Sequence, residues 1–328
     1  MKESDIRPQD LFNEYLALAK RDSEIFFADR ASFAEVDCPA CGASARKPAL
    51  EKYGFTYVTC AECDSLYQSP RPTPALFDAY YREAESVRFW STRFYKDTEE
   101  ARRVRIFRPR AELVGSLVAD AAAPGTFVDI GSGYGIFLEE IARLGRFDRV
   151  VGLEPNPELA EVCRGKGFTV VQKTAEASDA NDLQANFATS FEVLEHVFSP
   201  VEFLTAIRNL LAPGGQVLCT TLTADGFDIR VLWERSKSVH PPHHINLMSV
   251  EGMRRLFARA GLEVTDISTP GQLDVDIVAN MLTEDPSIEV PRFVSKLLAS
   301  GDATRQAFQQ FLAGNRLSSH IRVVARRN

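Results

Sequence analysis

Four cysteines stand in two closely spaced pairs near the start of the chain. Cys38 and Cys41 form one C-x-x-C pair, Cys60 and Cys63 form the other, and eighteen residues separate the two pairs. Each pair can place two thiolates on one tight turn, and four thiolates suit a tetrahedral Zn²⁺ site. Because four protein ligands leave no open coordination position, the spacing predicts a structural zinc site in a ribbon. Four reduced thiols or two disulfides are the alternatives.

Three glycines on alternate positions follow a short apolar run farther along the chain. The run 126–130 contains Asp129, and Gly131, Gly133 and Gly135 lead into a helix-favouring segment. This order is typical of a strand, a turn and a helix. Glycine at such a turn lets backbone N–H groups approach a ligand, and the helix adds its positive N-terminal end.

The spacing of these glycines narrows the class of ligand. It is G-x-G-x-G, whereas a dinucleotide-binding turn reads G-x-G-x-x-G and would need glycine at Ile136. Asp129, directly before the turn, would repel a pyrophosphate and attract a cationic group. The turn therefore predicts a ligand that is not a diphosphate and that carries a positive group.

A second acid ends the next predicted strand. The apolar run 149–153 is followed by Glu154, Pro155 and Asn156. A carboxylate at this strand end can accept hydrogen bonds from both ribose hydroxyls of a nucleoside. Together with the glycine turn upstream, Glu154 predicts a nucleoside-containing cofactor.

Four of the five histidines fall in two short segments, one after a fourth predicted strand and one in a proline-rich loop. A neutral imidazole can accept a proton near pH 7, which makes these residues candidates for acid–base catalysis or substrate contact. Metal binding is the alternative, but the prolines constrain the loop and we expect no carboxylate to join its histidine cluster. The predicted catalytic residues, in order of preference, are His244, His196, His240 and His243.

With these motifs in hand, the chain resembles class I S-adenosylmethionine (SAM)-dependent methyltransferases. The resemblance rests on Asp129-Ile-Gly-Ser-Gly-Tyr-Gly135, on Glu154 and on Glu192-Val-Leu-Glu-His196, and it extends over residues 110–328. It implies that the glycine turn wraps the methionine part of SAM, that Glu154 holds the ribose, and that the fourth strand end faces the sulfonium. The cofactor-binding residues it implies are Asp129, Gly131, Gly133, Tyr134, Gly135, Glu154, Pro155, Asn156, Ala175, Glu176, Phe191 and Glu192.

The elements that position these residues alternate between strand and helix patterns. The resemblance implies a Rossmann-like α/β fold with a seven-stranded sheet whose last strand, 320–326, is antiparallel. About fifty residues before that strand form an insertion too long for a simple loop. Amphipathic helices are expected in it at 291–299 and 302–314. The expected organisation is an N-terminal helix (1–30), a zinc ribbon (31–72), a helical linker or lid (73–115) and the methyltransferase domain (116–328), with a helical cap insertion (269–316).

Five arginines without an intervening acid lie between Arg102 and Arg110. Arginine binds phosphate and carboxylate groups through two parallel hydrogen bonds, so this run is a candidate site for an anionic substrate group. The alternative is a solvated helix face whose arginines pair with Glu99, Glu100 and Glu112.

Composition excludes several classes of function. The 328 residues are 45% hydrophobic and 25% charged, with a formal net charge of −7. This acidic balance argues against a general nucleic-acid binder. The sequence also shows no apolar run of membrane-spanning length and no signal peptide, so we expect a cytoplasmic protein.

The motifs together predict a SAM-dependent methyltransferase with a structural zinc ion. We expect its substrate to be a small molecule, such as a sugar, a natural product or a carrier-bound biosynthetic intermediate, with O, N or activated C as the acceptor atom. One alternative is an RNA-modifying methyltransferase in which the ribbon and the arginine run hold phosphates. Another is a SAM-binding protein without catalysis, whose ribbon docks a partner.

Overall fold

Two β-sheets organise the chain in the computed structural model, which describes residues 5–119, 125–179 and 183–328. A four-stranded sheet has the order β1-β2-β3-β9, and a seven-stranded sheet has the order β10-β11-β8-β7-β4-β5-β6. The strands are β1 (Arg46–Lys52), β2 (Phe55–Cys60), β3 (Leu66–Gln68), β4 (Thr126–Ile130), β5 (Arg149–Leu153), β6 (Thr169–Val171), β7 (Ala185–Phe191), β8 (Leu211–Leu222), β9 (Asn246–Leu247), β10 (Leu262–Ser268) and β11 (His320–Arg327).

Helices cover both faces of the larger sheet and one end of it. They are α1 (Gln9–Phe26), α2 (Pro74–Glu83), α3 (Glu85–Phe89), α4 (Tyr95–Arg102), α5 (Arg108–Leu117), α6 (Ile136–Leu144), α7 (Pro157–Gly165), α8 (Pro200–Leu210), α9 (Phe227–Leu232), α10 (Val250–Arg259), α11 (Asp274–Glu284), α12 (Arg292–Leu298) and α13 (Asp302–Gly314).

The larger sheet confirms the predicted fold class. Strands β4 to β8 pair in parallel, whereas β11 runs antiparallel to both of its neighbours, β8 and β10. Strand β4, which lies between β7 and β5, reads as an almost continuous apolar run because both faces of an interior parallel strand are covered by helices. Phe127, Val128 and Ile130 are accordingly buried. All five parallel strands end at one edge, where loops can carry a site.

The cysteine ribbon is built into the body of the molecule. Its sheet is completed by β9, where Leu66 pairs with Leu247 and Tyr67 with Asn246. The side chain of Arg259, at the end of α10, donates hydrogen bonds to the carbonyl oxygens of Pro39 and Ala40 at 3.1 and 2.8 Å. The ribbon therefore shares a hydrophobic core with the larger sheet instead of forming a separate unit.

The N-terminal helices lie over the carboxyl edge of the larger sheet. Between α3 and α5 the helix continues through two π-helical segments, Trp90–Phe94 and Arg103–Phe107. From α1, the ring of Tyr15 packs 4.7 Å from that of Trp90. Among the described residues, none of the helices combines the length and the hydrophobicity that crossing a bilayer requires.

The insertion before β11 contains three helices. Two of them, α12 and α13, occupy the predicted positions, and α11 precedes them without having been predicted. The start of α11 is fixed by Asp274, which accepts hydrogen bonds from the Ser318 hydroxyl and from the Ser319 amide.

Candidate functional site

A cavity of about 1670 Å³ opens at the carboxyl edge of the larger sheet. Drug-sized ligands usually occupy about 300–1,000 Å³, so this cavity has room for a cofactor and a substrate together. Its cover comes mainly from the N-terminal segments, including Phe12, Tyr15 and Trp90, while the insertion contributes only residues near the start of α11. Of the twelve predicted cofactor-binding residues, all except Gly135 line it.

The glycine loop, residues 131–135, adopts a backbone that favours glycine. The φ angles of Gly131, Gly133 and Gly135 are 78°, 53° and 74°, in the left-handed region that side chains disfavour. A Cβ on Gly131 would lie 2.8 Å from the Val193 side chain. One on Gly135 would lie 2.9 Å from the Cys163 sulfur. Gly135 therefore permits close packing of α6 on α7, and the first two glycines shape the cavity wall.

Asp129 ends β4 at the floor of the cavity. Its carboxylate is buried and accepts a hydrogen bond from the Thr189 hydroxyl at 2.7 Å. Burial raises the pKa of Asp129 to about 7, with the nearby charge of Glu154 adding to the effect. Such a carboxylate is well placed to bind a cationic ligand group, because that group would stabilise its charged form.

Glu154 ends β5 and is tied to the loops on either side of it. Its two oxygens accept hydrogen bonds from the amides of Gly133 at 2.8 Å and Asn156 at 2.9 Å. Asn156 in turn caps α7 by accepting from the amides of Glu158 and Leu159. Each carboxylate oxygen has a second lone pair, so Glu154 can still accept hydroxyl groups of a ligand.

The sequence matches the family described as "Methyltransferase domain" over residues 99–267, just over half of the chain. This range contains the glycine loop, the acids Asp129 and Glu154, and the histidines at 196, 240, 243 and 244. The chain belongs to the methyltransferase domain family. It accordingly contains a SAM-dependent methyltransferase domain. The cavity opens among the loops at the carboxyl edge of this domain's sheet.

Curated relatives of the methyltransferase domain include two named "Ubiquinone biosynthesis O-methyltransferase". The protein from Roseobacter denitrificans is 34% identical over 167 residues, which cover 47% of this chain and 66% of that protein. The protein from Cereibacter sphaeroides is 32% identical over 152 residues, covering 43% and 61%. The chain thus spans less than two thirds of the length of these relatives.

Among solved structures, the plantazolicin methyltransferase BpumL in complex with SAH superposes with a TM-score of 0.50 at 13% identity. The superposition covers 77% of this chain and 94% of that one. At this identity the similarity concerns the fold alone.

The histidine cluster, which we define as His196, His240, His243 and His244, lines the same cavity as the glycine loop. The His196 ring lies 5.1 Å from that of His244, and the rings of His240 and His243 stack at 5.5 Å. Burial lowers the pKa of His196 to about 4 and that of His240 to about 3, and it holds the pKa values of His243 and His244 well below their usual range. All four imidazoles are therefore neutral near pH 7.

Glu195 joins two of these histidines, which corrects the expectation that no carboxylate belongs to the cluster. One ligand atom from each of Glu195, His196 and His244 lies within 4.8 Å of the others. The Nδ1 atoms of His196 and His244 are hydrogen-bonded to backbone carbonyls at 2.9 and 2.7 Å, so each Nε2 keeps a lone pair. The sequence alone did not predict this arrangement, because the turn after β7 and the proline-rich loop are far apart along the chain.

A network around Glu192 was also missed at the sequence level. Glu192 accepts hydrogen bonds from Thr220 at 2.8 Å and from Arg110 at 2.8 Å, and its Oε1 lies 2.9 Å from His320 Nε2. Burial opposes the charged form, but His320 and Arg110 hold the pKa of Glu192 well below its usual value. One sequence signal could have located His320 in this network. An antiparallel last strand begins at the edge where the parallel strands end, so the first residue of β11 lies beside Glu192.

The four paired cysteines form a compact cluster. Cys38 Sγ lies 3.6 Å from Cys63 Sγ, and Cys41 Sγ lies 3.5 Å from Cys60 Sγ. Sulfur atoms bound to one zinc ion at about 2.3 Å would be separated by about 3.8 Å, so the distances fit a tetrahedral site. All six cysteines are free thiols.

The arginine run separates into two groups. Arg103 pairs with Glu99 at 2.9 Å and with Glu139 and Glu140 on α6, while the other paired members are Arg105 with Asp5, Arg108 with Glu140 and Arg110 with Glu192. Arg102 lines the cavity, as Arg105 and Arg110 do. It differs from them because its buried Nε has no hydrogen-bond partner among the described residues.

Proposed function

We propose that this protein transfers the methyl group of SAM to an oxygen atom of a small molecule. The observation that carries the proposal is the single cavity that is lined by the glycine loop, by the acids Asp129 and Glu154, and by the histidine cluster. The two curated relatives, both named as O-methyltransferases, support an oxygen acceptor.

The cofactor side fits SAM by the chemistry of its residues. The glycine loop leaves a cradle without side chains, Asp129 suits an ammonium group, and Glu154 suits ribose hydroxyls. We assign Tyr134, Pro155, Asn156, Ala175, Glu176, Phe191 and Glu192 to the remaining cofactor surface because each lines the same cavity. When bound, SAM supplies an electrophilic methyl group on a positive sulfur.

On the acceptor side, the residues of this chain must lower the cost of deprotonating a hydroxyl. The Nε2 atoms of His196 and His244 can accept that proton directly, as the sequence pattern predicts. Alternatively, with Glu195, they can hold a divalent cation that lowers the pKa of the hydroxyl. We place the cation first, because a carboxylate completes the set and both Nδ1 atoms are fixed by backbone carbonyls, as in metal-binding histidines.

The proposal extends to the cysteine cluster and to the competing functions. We assign a structural Zn²⁺ to Cys38, Cys41, Cys60 and Cys63, whose sulfur distances fit it. An RNA substrate is disfavoured by the pairing of four of the five arginines with acids. A purely SAM-binding role would leave the convergence of histidines in the cavity without a use.

Formation of SAH from SAM tests the reaction. We would use 3,4-dihydroxybenzoate as the probe, with benzoate as the acceptor that lacks hydroxyl groups. SAH formed with the dihydroxy compound and not with benzoate is the expected result. SAH formation with neither this probe nor other hydroxyl acceptors would contradict O-methyl transfer, and SAM binding by calorimetry would then favour the non-catalytic alternative.

Binding of Mn²⁺, followed by its electron paramagnetic resonance signal, separates the two modes of activation. We expect wild-type protein and Arg93→Gln, a change at an exposed arginine outside the cavity, to bind Mn²⁺. Glu195→Gln and His244→Ala should lose it. If the wild type binds no Mn²⁺ and turnover is indifferent to added Mg²⁺ or Mn²⁺, the cation is rejected. A hundredfold or greater loss of turnover in His244→Ala would then support the histidine base.

A further inference from the structure

Two cavity arginines combine a buried Nε atom with the lack of a counterion among the described residues. The side chain of Arg7, just before α1, and that of Arg102, at the end of α4, both line the cavity. In each, the Nε atom is buried without a hydrogen-bond partner, and neither side chain forms an ion pair with a residue that the structure describes. A buried guanidinium left in this state loses its hydration without compensation, so its donors are available to a ligand.

Aromatic rings fix the orientation of both guanidinium groups. Arg102 Cζ lies 5.3 Å from the ring centre of Tyr95 and 5.9 Å from that of Phe107, and Arg7 Cζ lies 5.4 Å from that of Phe12. Contacts with ring faces leave the N–H edges of a guanidinium free, and those edges match a carboxylate or phosphate. Arg102 is only 9% exposed, so an anion bound to it would be largely removed from water.

The charges around Arg102 also call for an anion. Burial lowers the pKa of Arg102, and the nearby positive charges of Arg7 and Arg110 also lower it, whereas Tyr95 and Glu192 act in the opposite direction. Arg110 is already paired with Glu192, whereas the other two arginines are not. Repulsion between like charges in a buried site is relieved when an anion binds between them.

We propose that Arg7 and Arg102 form an anion subsite, here called the arginine subsite, that binds a carboxylate or phosphate group of the acceptor substrate. This proposal rests on the proposed function for the identity of the ligand as a methyl acceptor. It limits the substrate to small molecules that carry an acceptor hydroxyl at one end and an anionic group at the other.

Direct binding of small anions tests the arginine subsite without SAM and without turnover. Benzoate and inorganic phosphate would be titrated separately into wild-type protein and into Arg102→Gln, Arg7→Gln and Arg93→Gln, with calorimetry as the readout. Arg93 is the matched control because it is an exposed arginine of the same helical stretch, paired with Glu14 at 2.9 Å. We expect the wild type and Arg93→Gln to bind equally, and each of the other two variants to bind at least tenfold more weakly.

The two probes identify the anionic group. Tighter binding of benzoate points to a carboxylate substrate, and tighter binding of phosphate points to a phosphorylated one. Arg7→Gln keeps the test valid if Arg102→Gln fails to fold, because Arg7 lies outside the helices. Equal binding in all variants, or no binding of either anion to the wild type, would overturn the subsite. Such a result would contradict the arginine subsite but not the proposed methyl transfer. Conversely, an absence of SAH formation would contradict methyl transfer but not anion binding.

Discussion

Asp129 shows how burial, at the scale of one residue, prepares a carboxylate for a ligand. No ion pair to Asp129 occurs in the described part of the chain, and its one short side-chain hydrogen bond comes from Thr189. Its pKa is raised to about 7, chiefly because burial disfavours the charged form. A ligand ammonium group would favour that form, so binding of SAM is coupled to loss of a proton from Asp129.

This coupling predicts that SAM affinity rises between pH 5.5 and pH 7.0. With a pKa near 7, Asp129 is mostly protonated at the lower pH, and the gain in affinity over this range is about tenfold. The range lies below the pKa of an α-amino group, so the ligand itself stays positively charged. Calorimetry at the two pH values is the measurement. Asp129→Asn should bind more weakly at pH 7.0 and show a flat profile, and a wild-type profile that is equally flat would refute the coupling.

Single residues also show how far sequence reasoning reaches. Asp129 and Glu154 could be predicted because each ends an apolar strand next to a recognisable turn. Thr189, which donates to Asp129, and Thr220, which donates to Glu192, could not be predicted as partners of these acids. Each threonine lies on a neighbouring strand, and only the register of the sheet brings it to its acid. Glu195 was visible in the sequence, but its association with His244 depends on how a distant loop folds.

At the scale of elements, the short strand β9 connects the ribbon with the histidine cluster. It follows His244 directly and pairs with β3 of the ribbon sheet. On its other side, the amide of Ile245 donates to the Glu195 carbonyl at 2.9 Å, and the side chain of Asn246 donates to the Val197 carbonyl at 2.7 Å. The Tyr57 hydroxyl of β2 also donates to the carbonyl of His244 at 2.8 Å. The ribbon therefore supports the loop that carries His240, His243 and His244.

Loss of zinc should consequently reduce turnover as well as stability. We expect about one zinc ion per wild-type chain and none in Cys60→Ser, by elemental analysis. The variant should unfold at a lower temperature and lose at least tenfold in turnover, because its histidine loop loses support, while SAM affinity changes little. The control is Cys219→Ala, a buried thiol of β8 that should keep its zinc. A Cys60→Ser variant with no zinc and full turnover would show that the ribbon does not support the site.

The helical insertion illustrates a limit at the same scale. Its length and helical periodicity were readable, and α12 and α13 lie where the pattern placed them. That these two helices do not line the cavity could not be predicted. Amphipathic spacing identifies the buried face of a helix but not the part of the protein against which that face packs. The cavity is instead covered by α1 and by the helix that contains the π-helical segments.

The distribution of charge over the whole molecule distinguishes a small anionic substrate from a nucleic acid. The chain carries a net charge of −7, and four of the five arginines between Arg102 and Arg110 are paired with acids. The arginine subsite is thus a local positive site in an acidic protein. Such a site can neutralise one anionic group, whereas a nucleic acid needs a continuous basic surface.

Salt dependence of substrate binding tests this difference. A substrate that neutralises two arginines should lose about tenfold or less in affinity between 50 and 200 mM salt, whereas six to ten phosphate contacts would cost about a thousandfold or more. The KM of the methyl acceptor in 50 and 200 mM KCl is the quantity to compare, with the KM of SAM as the internal reference. A thousandfold rise in the KM of the acceptor at the higher salt concentration would indicate a polyanionic substrate and support the RNA-modifying alternative. A loss of tenfold or less, abolished in Arg102→Gln, would instead attribute the whole salt effect to one anionic group bound in the cavity.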